Sequence, residues 1–154
     1  NGSRYSGIFS GCCNSINCYS CYSTIVGGAC NYTCCSSYTS IIGGCCNTIS
    51  NYDADYSGIL AGLYNCIGYN SQGSVILGGC GNCMYCSGNG YYAGNAYAGI
   101  VAGKYNQINY CSVYSTITGG CSNEITCSAP FSAKKTAAAK TATKKVVIKK
   151  VVKK

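Results

Sequence analysis

Over residues 5 to about 128 the apolar side chains fall into two columns separated by polar and small residues. An isoleucine stands with a Ser, Thr or Ala two places before it and a Ser, Gly or Ala two places after. Glycine follows three places on, asparagine six on, and a second apolar side chain eight on. The phrase occurs seven times, opening at Tyr5, Tyr22, Tyr38, Tyr56, Gly73, Tyr97 and Tyr114. The first column is Ile8, Ile25, Ile41, Ile59, Ile76, Ile100 and Ile117. The glycines are Gly11, Gly28, Gly44, Gly62, Gly79, Gly103 and Gly120, and the asparagines are Asn14, Asn31, Asn47, Asn65, Asn82, Asn106 and Asn123. The second apolar column runs Ile16, Thr33, Ile49, Ile67, Met84, Ile108, Ile125, with Thr33 its weak member. Successive glycines lie 17, 16, 18, 17, 24 and 17 residues apart, the 24 being one repeat plus an insertion near residues 88–96.

Period-two spacing of the small, large and small side chains around the isoleucine predicts one inward face of a short strand. Tyrosine in the first place and Val, Ile, Leu or Phe in the fifth point the other way. Gly-Gly or Ala-Gly then turns the chain, because glycine adopts positive φ freely, and asparagine is expected to serve the same turn. The segment N-x-I-x-x reads as a second, shorter strand. Such a unit buries its apolar face only by stacking on copies of itself, so the chain is expected to be all-β: a β-solenoid, or β-roll, of two short strands per ~17-residue coil and about seven coils. Coils ~4.8 Å apart make a rod roughly 34 Å long. The two columns hold twelve isoleucines, seven and five, each contributing roughly 1.5–3 kcal/mol when buried.

The unit Y-S-x-I-φ-G-G-x-x-N-x-I resembles the repeats of viral and phage fibre proteins and is similar to the head repeats of trimeric autotransporter adhesins. The resemblance covers residues 5 to about 128. It implies a β-roll packed side by side as a homotrimer, and a role in attachment to a host receptor or glycan, or in decorating a particle or cell surface. The cysteines and the lysine-rich end depart from the adhesin pattern and favour a virion protein.

Charge divides the chain in two. Residues 1–128 carry Arg4 and Lys104 against Asp53, Asp55 and Glu124, a net of −1. Residues 129–154 carry Lys134, Lys135, Lys140, Lys144, Lys145, Lys149, Lys150, Lys153 and Lys154 without an acid, a net of +9. The domains are therefore read as a solenoid over 1–128 and a low-complexity, flexible basic tail over 129–154, with Pro130 marking the end of the repeat. The tail is the candidate contact for an anionic partner, either nucleic acid or an acidic surface. Its closing Val146-Val147-Ile148 and Val151-Val152 clusters allow a strand or short amphipathic helix against a partner. No stretch has the length and apolarity of a transmembrane segment. Asn1 to Arg4 reads as the end of a preceding repeat, and so as part of a longer or processed protein.

Sixteen cysteines fall largely in repeat columns. Cys12, Cys45, Cys80 and Cys121 follow the turn glycine, with Cys13, Cys30 and Cys46 one place on. Cys18, Cys35, Cys86 and Cys127 lie four past the asparagine. Cysteine suits such positions as a small packed thiol. Column-mates on adjacent coils also fall within the Cα window of a disulfide, which makes Cys13–Cys30, Cys30–Cys46 and Cys18–Cys35 candidate pairs. Metal is the third reading, from Cys18-x-x-Cys21 and Cys80-x-x-Cys83-x-x-Cys86. The chain has no histidine, and side chains three apart on a strand face opposite ways.

With three acids and no histidine, the chain lacks the groups of general acid–base or activated-nucleophile catalysis and is read as no enzyme and as needing no cofactor. The tyrosine column is expected to form a ladder, whose functional alternative is a sugar- or receptor-binding stripe. Tyr91 and Tyr92, in the insertion, are candidate ligand contacts. Asp53 and Asp55 read as solvated turn residues. Threonines are too irregular (Thr24, Thr39, Thr116) for the flat face of an ice-binding solenoid. The expected function is a non-enzymatic structural or attachment protein of a viral fibre or surface appendage, located on a virion or extracellular surface. The alternative is a particle-associated nucleic-acid-binding protein acting through its basic tail.

Overall fold

A computed structural model of the chain describes residues 2–50, 54–85, 97–109 and 112–126, and the backbone of 127, 136–137 and 145–148. Two parallel sheets run its length. The first holds β1 (Gly7–Ile8), β3 (Thr24–Ile25), β5 (Ser40–Ile41), β7 (Gly58–Ile59), β9 (Val75–Ile76), β11 (Gly99–Ile100), β13 (Thr116–Ile117) and β15 (Thr136–Ala137). The second holds β2 (Ser15–Asn17), β4 (Tyr32–Cys34), β6 (Thr48–Ser50), β8 (Cys66–Ile67), β10 (Cys83–Tyr85), β12 (Gln107–Asn109), β14 (Glu124–Cys127) and β16 (Lys145–Ile148). The protein is a β-solenoid, all-β, with no helix among the described residues. Seven copies of the phrase span six coil-to-coil steps, so the chain makes about six turns between the first and last copies.

Pairing is in register throughout: Ile8↔Ile25, Ile25↔Ile41, Ile41↔Ile59, Ile59↔Ile76, Ile76↔Ile100 and Ile100↔Ile117. The first column is fully buried from Ile25 to Ile117. Ile8 departs from the expectation: it lies on the edge strand and is 44% exposed. Thr33 stays buried because its hydroxyl lies 3.0 Å from that of Thr39, which donates to Ser23 Oγ at 3.0 Å. A third inward column, Ser20, Ser36, Ala54, Ser71 and Ser112, escaped the sequence pattern because it carries almost no apolar residue.

Three positions per coil turn the chain. The glycine of the seventh place has φ of 88–109°. A Cβ at Gly62 would overlap the carbonyl oxygen of Gly79 in the next coil, so the column excludes other residues on contact as well as on φ. The other two turns correct the sequence reading. The first-place tyrosines adopt φ of 55–59°, and the ninth place is left-handed too, at Cys13, Cys30, Cys46, Tyr64, Tyr105 and Ser122. The cause is hydrogen bonding. Strand N–H groups donate to the following coil, as Val26 does to Ile41 at 2.9 Å. Left-handed N–H groups donate to the preceding one, as Tyr38 does to Cys21 at 2.8 Å and Cys46 to Ala29 at 2.9 Å. Bonding in both directions offsets the ~1–2 kcal/mol that each left-handed non-glycine residue costs.

Two further expectations change. The sixth place does not complete the inward face: Ala61 and Ala102 are exposed, and a Cβ at Gly43, Gly78 or Gly119 would meet nothing. Strand pairing ends at the isoleucine, so the alternation ends with it. The asparagines do not make the turn; of the repeat asparagines described, none has positive φ. Asn31, Asn47, Asn65, Asn82 and Asn106 are instead fully buried and form a ladder of amide hydrogen bonds. Finally, the backbone of β15 and β16 pairs with β13 and β14, with Ala137 opposite Ile117 and Val146 opposite Ile125. Both sheets thus run one strand past residue 128, where the sequence pattern ends.

Candidate functional site

The rod's most regular exposed surface is its tyrosine flank. The left-handed turn at each first place throws the ring outward onto the ring of the next coil. Tyr5, Tyr22, Tyr38 and Tyr56 stack in series, with centroids 5.0, 4.9 and 4.8 Å apart and interplanar angles of 14, 5 and 6°. Gly73 interrupts the column. Its missing side chain leaves room for the Tyr97 ring, which stacks on Tyr114 at 5.5 Å. Burial between the rings, then the neighbouring phenols of Tyr22 and Tyr56, push the Tyr38 hydroxyl above its ordinary value. Within the stack, ring faces are covered by other rings, so a ligand meets edges and hydroxyls. The geometry fits an aromatic ladder better than a stripe on which sugar rings stack.

Beside it runs an apolar row from the fifth place: Val26, Ile42, Leu60, Leu77 and Val101, each 39–47% exposed. Parallel in-register pairing sets these side chains one coil apart along the rod.

The thiols form the second candidate site. All thirteen described cysteines are free, including Cys13, Cys18, Cys30, Cys35 and Cys46, so the candidate disulfides are not formed in this structure. The structure instead brings sequence neighbours together: Sγ atoms lie 3.2 Å apart in Cys12–Cys13, 3.1 Å in Cys34–Cys35 and 3.3 Å in Cys45–Cys46. On a strand, adjacent side chains point to opposite faces. Here the second cysteine of each pair is left-handed, with φ of 56–57°, and the two sulfurs converge. The bond from the neighbouring sulfur pushes the Cys12, Cys35 and Cys46 thiols up, Cys35 to about 11.

Among the described residues, Cys66 and Cys83 are the one pair of cysteines in direct register between strands. The Tyr85 hydroxyl lies 3.3 Å from Cys66 Sγ, and its ring lies over Gly68, where any Cβ would overlap it. Cys66 shifts the opposite way from Cys12, Cys35 and Cys46. The Cys83 thiol hydrogen-bonds its sulfur and, with a smaller contribution from Tyr85, outweighs burial to bring it down to about 7. The same shared proton pushes Cys83 and Tyr85 up. The sequence analysis passed over Cys66 and took Cys83 only as part of the metal-like run Cys80-x-x-Cys83-x-x-Cys86, because a cysteine just after the asparagine, in the x of N-x-I, recurs in only two coils.

An open recess of about 370 Å³ is lined by Tyr105, Gln107, Ser122, Asn123 and Glu124, and Lys104 Nζ sits 4.9 Å from the Tyr105 ring centroid. Asp55 accepts from the Ser37 backbone N–H across the coil step, a structural cap in place of the solvated turn expected. Asp53, Tyr91, Tyr92, Cys86 and the tail lysines lie outside the described residues, Lys145 excepted, whose backbone is in β16. No family model matches the sequence, and no curated protein matches it.

Proposed function

We propose that the protein is a non-enzymatic structural and attachment element of a viral fibre or surface appendage, packed side by side with two further copies. The observation that carries this reading is the row Val26, Ile42, Leu60, Leu77 and Val101. A straight line of half-exposed aliphatic side chains, repeating at the coil step, is matched in period by the same row on a second copy. A rod with so thin a core gains further from such contact, because its apolar interior is little more than one column of aliphatic side chains on each sheet, the rest of the enclosed side chains being Ser, Thr and Asn. Ligand contact then falls to the exposed tyrosine edges and the loops.

Light scattering of the full chain at micromolar concentration should give three times the monomer mass. Ile42→Lys with Leu60→Lys should give a folded monomer, and a wild-type monomer overturns the reading. Immunogold labelling of particles should place the chain on projections.

The nine lysines of residues 129–154 favour a second role, binding a polyanion. Retention of the full chain on immobilised nucleic acid should fall steeply across a salt series as counterions are released. Retention unchanged by salt excludes this role.

A further inference from the structure

We propose that the adjacent pairs Cys12–Cys13, Cys34–Cys35 and Cys45–Cys46 are three dithiol chelates for a thiophilic centre that needs only two protein sulfurs at a small ligand angle, a trivalent arsenical. The pairs share one construction in three different coils: trans-linked neighbours, the second left-handed, sulfurs 3.1–3.3 Å apart and at least partly open to solvent.

The separation selects the ligand. Two thiolates on tetrahedral zinc, at Zn–S of ~2.3 Å, stand roughly 3.8 Å apart and need two further ligands. Among the described residues no group of three or more Cys, His, Asp or Glu comes together to supply them. A closer pair suits a centre with small ligand angles, such as pyramidal trivalent arsenic, whereas a copper(I) ion held by two thiolates alone sets them nearly opposite each other and farther apart than zinc does.

The protons balance. An arsenic oxide R–As=O reacts with two thiols, forming two As–S bonds and breaking the As=O bond, and the two thiol protons leave in one water molecule without any change of oxidation state.

The chain itself supplies a control. Ser122 occupies the column of Cys13 and Cys46 with the same left-handed φ, its Oγ 3.5 Å from Cys121 Sγ. The coil therefore accepts serine where one sulfur of a pair would be.

Reduced, folded full-length protein carrying Cys66→Ser, to silence the inter-coil pair, is titrated with phenylarsine oxide and counted by native mass spectrometry. Three adducts are expected. Cys13→Ser, Cys35→Ser and Cys46→Ser should each remove one, while Cys80→Ser and Cys121→Ser should leave three. Pair variants that leave the count unchanged, or Cys80 and Cys121 variants that lower it equally, overturn the proposal. A parallel titration with copper(I) against a chromogenic copper(I) chelator tests the selection by angle. Copper binding lost one-for-one with the pair variants overturns it, whereas adducts with phenylarsine oxide alone assign a pyramidal trivalent centre.

Discussion

The side-chain oxygen of Asn47 accepts from the backbone N–H of Asn65 at 3.0 Å and from its side-chain amide at 3.1 Å. Asn65 repeats the relation to Asn82, and donates to the carbonyls of Ala61 and Gly79, both at 3.2 Å. One side chain thus satisfies buried backbone groups in its own coil and in the next. Asn65→Ala leaves the Asn82 N–H without this acceptor in a dry interior, and each orphaned group costs about 1–3 kcal/mol. The expected loss is at least about 3 kcal/mol, read as a lower urea midpoint. A midpoint within error of wild type contradicts the ladder.

Two neighbouring glycines should respond oppositely. At Gly62, φ is +105° and a Cβ would overlap the Gly79 carbonyl; at Gly78 a Cβ would meet nothing. Gly62→Ala should cost about 3 kcal/mol or more, and Gly78→Ala should stay within about 0.5 kcal/mol of wild type. Thermal unfolding of the two variants side by side decides this.

Position along the rod should matter as much as residue type. Ile59 is fully buried between Ile41 and Ile76, whereas Ile8 on the edge strand is 44% exposed. Ile59→Ala should cost about 2–5 kcal/mol, and Ile8→Ala roughly 1 kcal/mol or less. Equal losses in chemical denaturation would count against the burial described.

Cys66 should be the thiol that responds to pH near neutrality. Its folded value, about 7, lies below the ordinary thiol value because the Cys83 thiol and the Tyr85 hydroxyl bond its sulfur. The folded chain therefore gives up this proton before the unfolded chain does. The resulting stabilisation is complete above the ordinary thiol range and is lost as pH falls through about 7. Alkylation of Cys66 by iodoacetamide, followed by peptide mass spectrometry, should have its midpoint near pH 7, with Cys83 unreacted. Tyr85→Phe, by removing one of the two bonds, should move the midpoint upward. A midpoint at the ordinary thiol value in wild type would refute the shared proton.

What the sequence by itself determined is the lattice. Isoleucine, glycine and asparagine at fixed offsets specify two strands and a turn per coil, because a period-two inward face and a glycine-only bend are local properties of the chain. The tertiary structure decided what depends on the neighbouring coil. The asparagines read as turn residues until stacking set each amide against the next coil's N–H. The tyrosines and ninth-place residues read as strand ends and fillers until the two directions of inter-coil hydrogen bonding required positive φ there. That backbone flip turns Cys45 and Cys46 toward each other, although the strand rule sets adjacent side chains apart. The repeat puts Cys66 and Cys83 in one column, but the meeting of their sulfurs beside the Tyr85 hydroxyl depends on side-chain placement across the coil step, which column membership does not set.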